Sequence, residues 1–348
     1  MHLDHLHSVI PLERYREIIA ALRPERGSWH DDFWLRVAAQ VAVLSPDDPQ
    51  RLAIRIRDLG GKLALHAKWY QDLASPLRFV VAAMLVQNQI KFGTFINEHA
   101  RIAELLHRVG LRSHGFYHTT TVLILMSAPD SAGCDLPEAE RLKAIHQSMK
   151  RYHWWLTGVD DLPACAALAQ CRGSAIEVVA RAEACYQLLH NSGLVRGDHL
   201  QTAANLLPLS GLDPDAAVAR YLALKSRLES REGTLIPPHY EVLSLLSLLD
   251  HDPETVIGRL LAVHQELALF QPDVQPAANL IIAAELSCLD LVRFDRAQQP
   301  LSGTTAEPAM WRSLHTFRLA AAAMLSRIDV DLSLPKTTTS MVAWPQAL

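Results

Sequence analysis

The hydrophobic residues of this 348-residue chain recur with the spacing of an α-helix. In most segments apolar side chains stand at positions i, i+3, i+4 and i+7, and alternating strand patterns are scarce. Gly and Pro cluster between these segments. The pair Asp213-Pro214 is typical of a helix start, because Asp caps free amides and Pro fits the first turn. Gly233 is typical of a helix end. The pattern predicts an all-α protein.

Parts of the chain resemble one another at a fixed spacing. Residues 105–130 align with residues 188–213 without a gap, at a shift of 83 positions, and His107 then coincides with His190. A second alignment, at a shift of 40 positions, places His199 on His239. The longer shift is about twice the shorter, which indicates a repeat of about 40 residues.

Each repeat is predicted to be a hairpin of two helices. Stacked hairpins bury apolar faces that one hairpin leaves exposed, so we expect an α-solenoid or curved superhelix of the HEAT or armadillo type. It would form one domain over residues 1–330, with 331–348 as an extended or mobile tail. The alternative is a globular all-α bundle with a decayed duplication. The predicted hairpins pair 12–22 with 31–43, 48–73 (interrupted at Gly60-Gly61) with 76–88, 94–109 with 115–126, 137–151 with 159–169, 174–191 with 198–209, 214–231 with 238–249, and 253–267 with 275–289, before a closing helix over 307–328.

Three short stretches in the middle and later parts of the chain carry a family resemblance. They are Met149-Lys150 with His153, Leu156-Thr157 and Asp160-Asp161 running into 166–169; Gly197-Asp198 with Leu200-Gln201; and the segment from Tyr240 to Leu249. They resemble the DUF4003 family of uncharacterised all-helical bacterial proteins. The chain departs from that family at Trp154-Trp155, where Pro and an aromatic residue are expected. The resemblance covers most of the chain and implies a helical, soluble bacterial protein, but no activity and no catalytic residues.

Polar side chains fall at equivalent positions near the starts of the second helices. The alignment uses pairs of small residues such as Ala82-Ala83 and Ala203-Ala204. Because second helices commonly line the concave side of a solenoid, we expect one polar inner groove. The candidate ligand-binding residues are Arg78, His118, His153, Asp160, Asp161, His199, Gln201, His239 and Glu241.

Two functions fit such a groove. The first is a non-enzymatic binding module for a peptide, a partner protein or a small ligand. The alternative is a metal-dependent enzyme or metal-binding protein that holds a transition metal on Asp161, His199 and His239, because His and carboxylates are the usual ligands. The same residues are also explained as helix caps and exposed junction residues. Trp154 and Trp155 are interpreted as a hydrophobic plug between repeats, with stacking on a ligand or a base as the alternative.

Composition narrows the function classes further. Hydrophobic residues make up 49% of the chain, which supports a large core, and the net charge is −4 without a basic block, which argues against nucleic-acid binding. No segment approaches the ~18–20 apolar residues of a membrane span, and the N-terminus lacks the pattern of a signal peptide. The five cysteines form no C-x-x-C pair, which favours a reducing cytoplasm as the location of the protein.

Phosphate-loop, nucleophile-elbow and H-E-x-x-H motifs are absent from the sequence, so the sequence leaves open whether the protein is an enzyme. Stacking of apolar ends into a homo-oligomer is a further hypothesis.

Overall fold

The computed structural model describes residues 10–23, 29–66, 73, 76–111, 116–126, 134–233, 235, 237, 239–270 and 276–298. These residues form fourteen α-helices and no strand, which confirms the all-α prediction. Short 3₁₀ turns at Val159–Asp161 and Leu207–Ser210 precede α8 and follow α10. The helices are α1 Pro11–Leu22, α2 Trp29–Ala42, α3 Pro49–His66, α4 Leu77–Gln87, α5 Phe92–Arg108, α6 Phe116–Met126, α7 Leu136–Tyr152, α8 Leu162–Ala169, α9 Ala175–Asn191, α10 Asp198–Leu206, α11 Pro214–Glu232, α12 His239–Leu246, α13 Pro253–Phe270 and α14 Pro276–Gln298.

Consecutive helices pair as predicted, α1 with α2, α3 with α4, and so on to α13 with α14. Odd-numbered helices also contact one another along the chain, as in α1 with α3, α7 with α9, α9 with α11 and α11 with α13. Even-numbered helices do the same, as in α2 with α4, α6 with α8, α10 with α12 and α12 with α14. Within α1–α4 and within α5–α14, each hairpin therefore presents one helix to each of two rows.

The two rows differ in burial. The even-numbered helices are the more deeply buried row among the described side chains: Leu162–Leu168 of α8, Leu200–Leu206 of α10 and all of α12 are buried. The odd-numbered helices alternate buried and exposed positions and keep one face toward solvent. We call the even-numbered helices the inner helices and the odd-numbered helices the outer helices.

The first hairpin contacts the last. Helices α1 and α2 both contact α14. The side-chain amide of Gln40 on α2 donates a hydrogen bond to Glu285 on α14. On the outer row, the Arg16 guanidinium lies 3.1 Å from the Glu266 carboxylate. An open superhelix does not require this contact between the two ends of the described array.

The glycine pair in the second hairpin does not interrupt its first helix, contrary to the prediction. Helix α3 runs without a break from Pro49 to His66. Gly60 is buried, and a Cβ atom built there would lie 3.1 Å from Phe79 Cδ1 on α4. The absence of a side chain at Gly60 lets α4 pack closely against α3. The free energy gained from this packing outweighs the low helix propensity of glycine.

The predicted start and stop signals are confirmed in the sixth hairpin. The Asp213 carboxylate accepts a hydrogen bond of 2.9 Å from the backbone amide of Ala216 and caps α11. Gly233 ends the same helix with φ of 84°. The predicted closing helix over 307–328 and the tail over 331–348 lie outside the described residues.

No single helix among the described residues is both long and apolar enough to cross a bilayer. Helices α4 and α5 reach the required length and composition only when taken together, and they are bent by 115° at their junction.

Candidate functional site

A loop between α7 and α8 holds the deepest charged group of the candidate set. Asp161 is fully buried and accepts a hydrogen bond of 2.9 Å from the backbone amide of Gly158. His146 on α7 contacts the same loop, with its Nε2 3.0 Å from the Gly158 carbonyl oxygen. Among the described contacts, the Asp161 carboxylate makes no capping bond to α8. Its bond to the Gly158 amide lies instead at the start of the 3₁₀ turn Val159–Asp161, so the predicted capping contact is found at this turn and not at α8 itself.

Gln201 connects this loop to the next inner helix. It lies on α10, is 2% exposed, and its side-chain amide donates to Thr157 Oγ1 and to Asp161 Oδ1, both at 3.3 Å. The sequence alignment predicts that Asp161 and Gln201 share one surface, and the structure brings them into contact.

His199 connects α10 to the following inner helix. Its Nδ1 lies 2.8 Å from Glu241 Oε1 on α12. The Glu241 side chain is 9% exposed, whereas that of His199 is 34% exposed and reaches solvent. Asp161, Gln201, His199 and Glu241 thus form two hydrogen-bonded contacts on either side of α10, and we call these four residues the polar strip.

The other candidates make different contacts. His239 is buried, and burial together with nearby His264 lowers its pKa to about 4. The Arg78 guanidinium lies 4.5 Å from the centre of the Phe79 ring. The His118 ring lies 5.7 Å from the ring of His99, whose pKa is lowered to about 4 by burial and by His118. Asp160 is half-buried beside the polar strip.

The contacts give no support to the metal hypothesis. Within the described ranges, no group of three or more His, Cys, Asp or Glu side chains is arranged to hold a metal ion. Of the three predicted ligands, Asp161 bonds to Gln201 and His199 bonds to Glu241. The transition-metal site on Asp161, His199 and His239 stays a prediction from sequence.

His153 belongs to a second polar cluster. Its Nε2 lies 2.7 Å from Glu183 Oε2 on α9, and its ring centre lies 4.3 Å from that of Tyr186. Burial alone would raise the pKa of Glu183, but hydrogen bonds from His153 and Gln187 outweigh it and leave that pKa below its ordinary value. Glu183 is therefore a carboxylate at neutral pH.

The tryptophans beside this cluster are not a plug, so that prediction is wrong. Trp154 is 74% exposed and Trp155 is 62% exposed, and their rings meet edge to face. Helix α7 ends at Tyr152, and it is His153 that turns inward, against Tyr186. The turn that follows carries both indoles toward solvent.

A cleft opens between α7, α9 and α10, with His153, Glu183, Gln201 and Asn205 in its lining. Sequence reasoning missed Glu183 and Asn205. Asn205 follows Gln201 by one helical turn, a spacing that places both on one face of α10 and could have identified it. Glu183 lies on an outer helix 30 positions beyond His153, and no pattern in the sequence links the two.

Comparison with known proteins adds relatives without a stated activity. The chain is 26% identical over 224 residues to "Uncharacterized protein YeaA" of Bacillus subtilis (strain 168), and the match covers 62% of this chain and 65% of that protein. The chain thus spans slightly less than two thirds of the length of this relative. No solved structure matches. The family model "Protein of unknown function (DUF4003)" matches residues 69–296, which are more than half of the 348 residues and include the polar strip and the cleft. The chain therefore belongs to the DUF4003 family.

Proposed function

We propose that this protein is a binding module that uses the polar strip to hold a small polar ligand or a peptide segment. The observation that carries this proposal is the pair of side-chain contacts on either side of α10, Gln201 with Asp161 and His199 with Glu241. Buried polar groups cost free energy unless they are hydrogen-bonded, and three members of the strip, Asp161, Gln201 and Glu241, are buried. Their placement across successive inner helices therefore needs a reason. A polar binding surface is such a reason.

We infer further that the seven hairpins form one curved repeat array, a single domain whose first and last hairpins meet. The sequence shift of 40 residues supports this arrangement, because it aligns His199 with His239 at the starts of neighbouring inner helices. The contacts of α1 and α2 with α14 support closure of the array. A curved array collects the starts of its inner helices on one side, where binding residues from several repeats can act together.

The charges of the polar strip narrow the ligand class. The strip contains two carboxylates, from Asp161 and Glu241, and neither Lys nor Arg. An anionic ligand would face these carboxylates at short range in a poorly solvated site. Neutral or cationic polar ligands are favoured. The half-exposed His199 is the member of the strip that a ligand reaches first.

A thermal-shift screen tests this proposal. The full chain is heated with a panel of amino acids, sugars, nucleosides, polyamines and short peptides, alongside the His199→Ala variant. We expect a neutral or cationic compound to raise the melting temperature of the unsubstituted protein, and this increase to disappear in His199→Ala. Because the His199 side chain is 34% exposed, the variant without ligand should melt close to the parent.

The matched control is His107→Ala, which removes an exposed imidazole from outer helix α5. This variant should keep the full ligand effect. A compound that stabilises His199→Ala as strongly as the parent binds elsewhere and contradicts the proposal. A preference for anionic compounds would contradict the ligand class.

A further inference from the structure

A second and larger cleft lies between the second hairpin and the start of α5. Its walls are the loop before α3, one face of α3, the end of α4 and the turn into α5. It has a volume of about 610 Å³, within the range of small-molecule sites, and is partly open to solvent. The cleft between α7, α9 and α10 leaves only about 10 Å³, room for one water molecule at most. Lys91 lines the larger cleft, and we call it the Lys91 cleft.

The charges that line the Lys91 cleft leave one cation in excess. On the α3 side, Arg55 pairs with the Asp47 carboxylate, and Lys62 Nζ lies 2.7 Å from Asp58 Oδ2. Lys91 is exposed and has no ion pair within the described part of the chain. Helix α5 begins directly after it without a side-chain cap, so the positive end of the helix dipole adds to the lysine charge. A negatively charged group is therefore favoured at this end of the cleft.

The deeper part of the lining is largely apolar. Leu85 and Val86 at the end of α4 are buried, and Leu59 of α3 and Ile90 of the turn are half-buried. Most of the charged side chains of the lining are exposed instead. The cleft thus offers apolar contacts below a charged rim, which suits a ligand with an apolar body and one anionic end.

The turn between α4 and α5 keeps a side chain where glycine is usual. Gln89 has φ of 55°, and it is the one non-glycine residue with positive φ that the described ranges contain. Its backbone N–H donates to the Val86 carbonyl at 3.2 Å, and that of Ile90 donates to the Leu85 carbonyl at 2.9 Å. This pair of bonds is the Schellman motif, whose left-handed position prefers glycine. A glutamine there costs stability that a glycine would not.

No contact inside the protein accounts for this cost. The Gln89 side chain is exposed, lines the Lys91 cleft and has no hydrogen-bond partner among the described residues. Strained residues cluster at ligand sites, where the side chain is needed in spite of the strain. The amide of Gln89 supplies N–H donors two positions before the Lys91 ammonium, and both groups can donate to one anion.

We propose that the Lys91 cleft binds a small amphipathic carboxylate. The carboxylate lies between the Lys91 ammonium and the Gln89 amide and accepts from both. The apolar body of the ligand packs against Leu59, Leu85 and Val86. The inference goes beyond the proposed function, because the Lys91 cleft shares no residue with the polar strip.

Titration of the full chain with three probes, followed by saturation-transfer NMR, tests the inference. The probes are phenylpropionate, phenylpropionamide and phenylpropylamine, which share one apolar body and differ in the charge of the end group. We expect phenylpropionate to bind at least about fivefold more tightly than the amide, which corresponds to about 1 kcal/mol, and the amine to bind most weakly. Acetate, which lacks the apolar body, should bind at least about tenfold more weakly than phenylpropionate.

Two variants test the two donors. Lys91→Gln should weaken phenylpropionate binding at least about fivefold and remove the preference over the amide. Gln89→Gly should weaken binding at least about threefold, yet raise the melting temperature by about 1–3 °C, because glycine relieves the left-handed backbone. These opposite directions separate a binding role from a structural one. The matched controls are Lys150→Gln, which removes an exposed lysine from α7, and Asn88→Ala, which changes a neighbour outside the lining.

Both control variants should bind phenylpropionate like the parent, and so should His199→Ala in the polar strip. The inference is overturned if the parent binds no phenylpropionate, binds the amide equally well, or loses nothing in Lys91→Gln. Unchanged binding in Gln89→Gly would likewise overturn it, because the strained side chain would then serve no ligand. Loss of binding in His199→Ala would place the probe at the polar strip and refute the Lys91 cleft as its site.

Discussion

The Gln201 side-chain amide donates to the buried carboxylate of Asp161 at 3.3 Å, although 40 residues separate the two in sequence. The contact joins the loop before α8 to α10, which belong to consecutive helix pairs. It also fixes the loop before α8, because Asp161 accepts the Gly158 amide as well. One carboxylate thus holds both its own loop and the next inner helix.

Asp161→Ala should lower the free energy of unfolding by about 2–4 kcal/mol, because it leaves the Gly158 amide and the Gln201 amide without this acceptor. Urea unfolding followed by circular dichroism measures the change. Asp160→Ala is the matched control, since its carboxylate is half-buried in the same loop, and it should cost under about 1 kcal/mol. Equal losses in the two variants would contradict the role given to Asp161.

The all-α class and the positions of the helices were predictable from sequence because helix periodicity and capping residues are local signals. Asp213 and Gly233, for example, bound α11 where the pattern places its ends. The repeat alignment predicted that Asp161 and Gln201 line the same surface, but it did not predict the hydrogen bond between them. Which atoms meet depends on loop geometry, and the alignment carries no information about it.

Other features depend on packing between elements that are distant in sequence. In the sequence Gly60 has the character of a helix breaker, but in the structure it lies inside α3. The ring of Phe79 on α4 occupies the space that a side chain at this position would need. The Trp154-Trp155 pair looks like core, yet α7 ends just before it and turns it outward. Glu183 could not be assigned to His153, because the partner of a buried polar group is set by the tertiary fold.

The protein should lose stability as the pH falls from about 6.5 toward 4, through His239. Burial and nearby His264 lower the folded-state pKa of His239 to about 4, so in this window the unfolded chain binds a proton that the folded protein excludes. Between pH 7 and pH 5 this group alone should remove about 2 kcal/mol from the free energy of unfolding.

Urea unfolding of the parent and of His239→Gln at both pH values isolates this contribution. The variant should lose about 2 kcal/mol less than the parent on acidification, whatever its own stability at pH 7. Replacement of the exposed His107 by Gln should leave the pH dependence unchanged. A parent and a His239→Gln variant with parallel pH profiles would show that His239 takes up its proton in the folded state as readily as in the unfolded chain.

A double-mutant cycle on Gln40 and Glu285 tests whether the first and last hairpins meet in solution. Gln40 donates to the Glu285 carboxylate between α2 and α14. We expect Gln40→Ala and Glu285→Ala to be non-additive by about 1–3 kcal/mol in urea unfolding, as is usual for a buried hydrogen bond to a charged group. Arg16→Ala with Glu285→Ala serves as the control cycle, because Arg16 pairs with Glu266 and should not couple to Glu285. Additive effects in the first cycle would mean that the ends of the array do not touch.

The two adjacent glycines of α3 should respond in opposite directions to the same substitution. Gly61→Ala places its methyl group in open space on an exposed face and should raise the free energy of unfolding by about 0.5–1 kcal/mol, the difference in helix propensity. Gly60→Ala gains the same propensity but puts its Cβ 3.1 Å from Phe79 Cδ1, so we expect a net loss of about 1 kcal/mol. In a Phe79→Leu background, where the ring is gone, Gly60→Ala should lose its penalty. Urea unfolding of the four variants provides the comparison, and a stabilising Gly60→Ala in the parent would show that α3 and α4 can move apart at no cost.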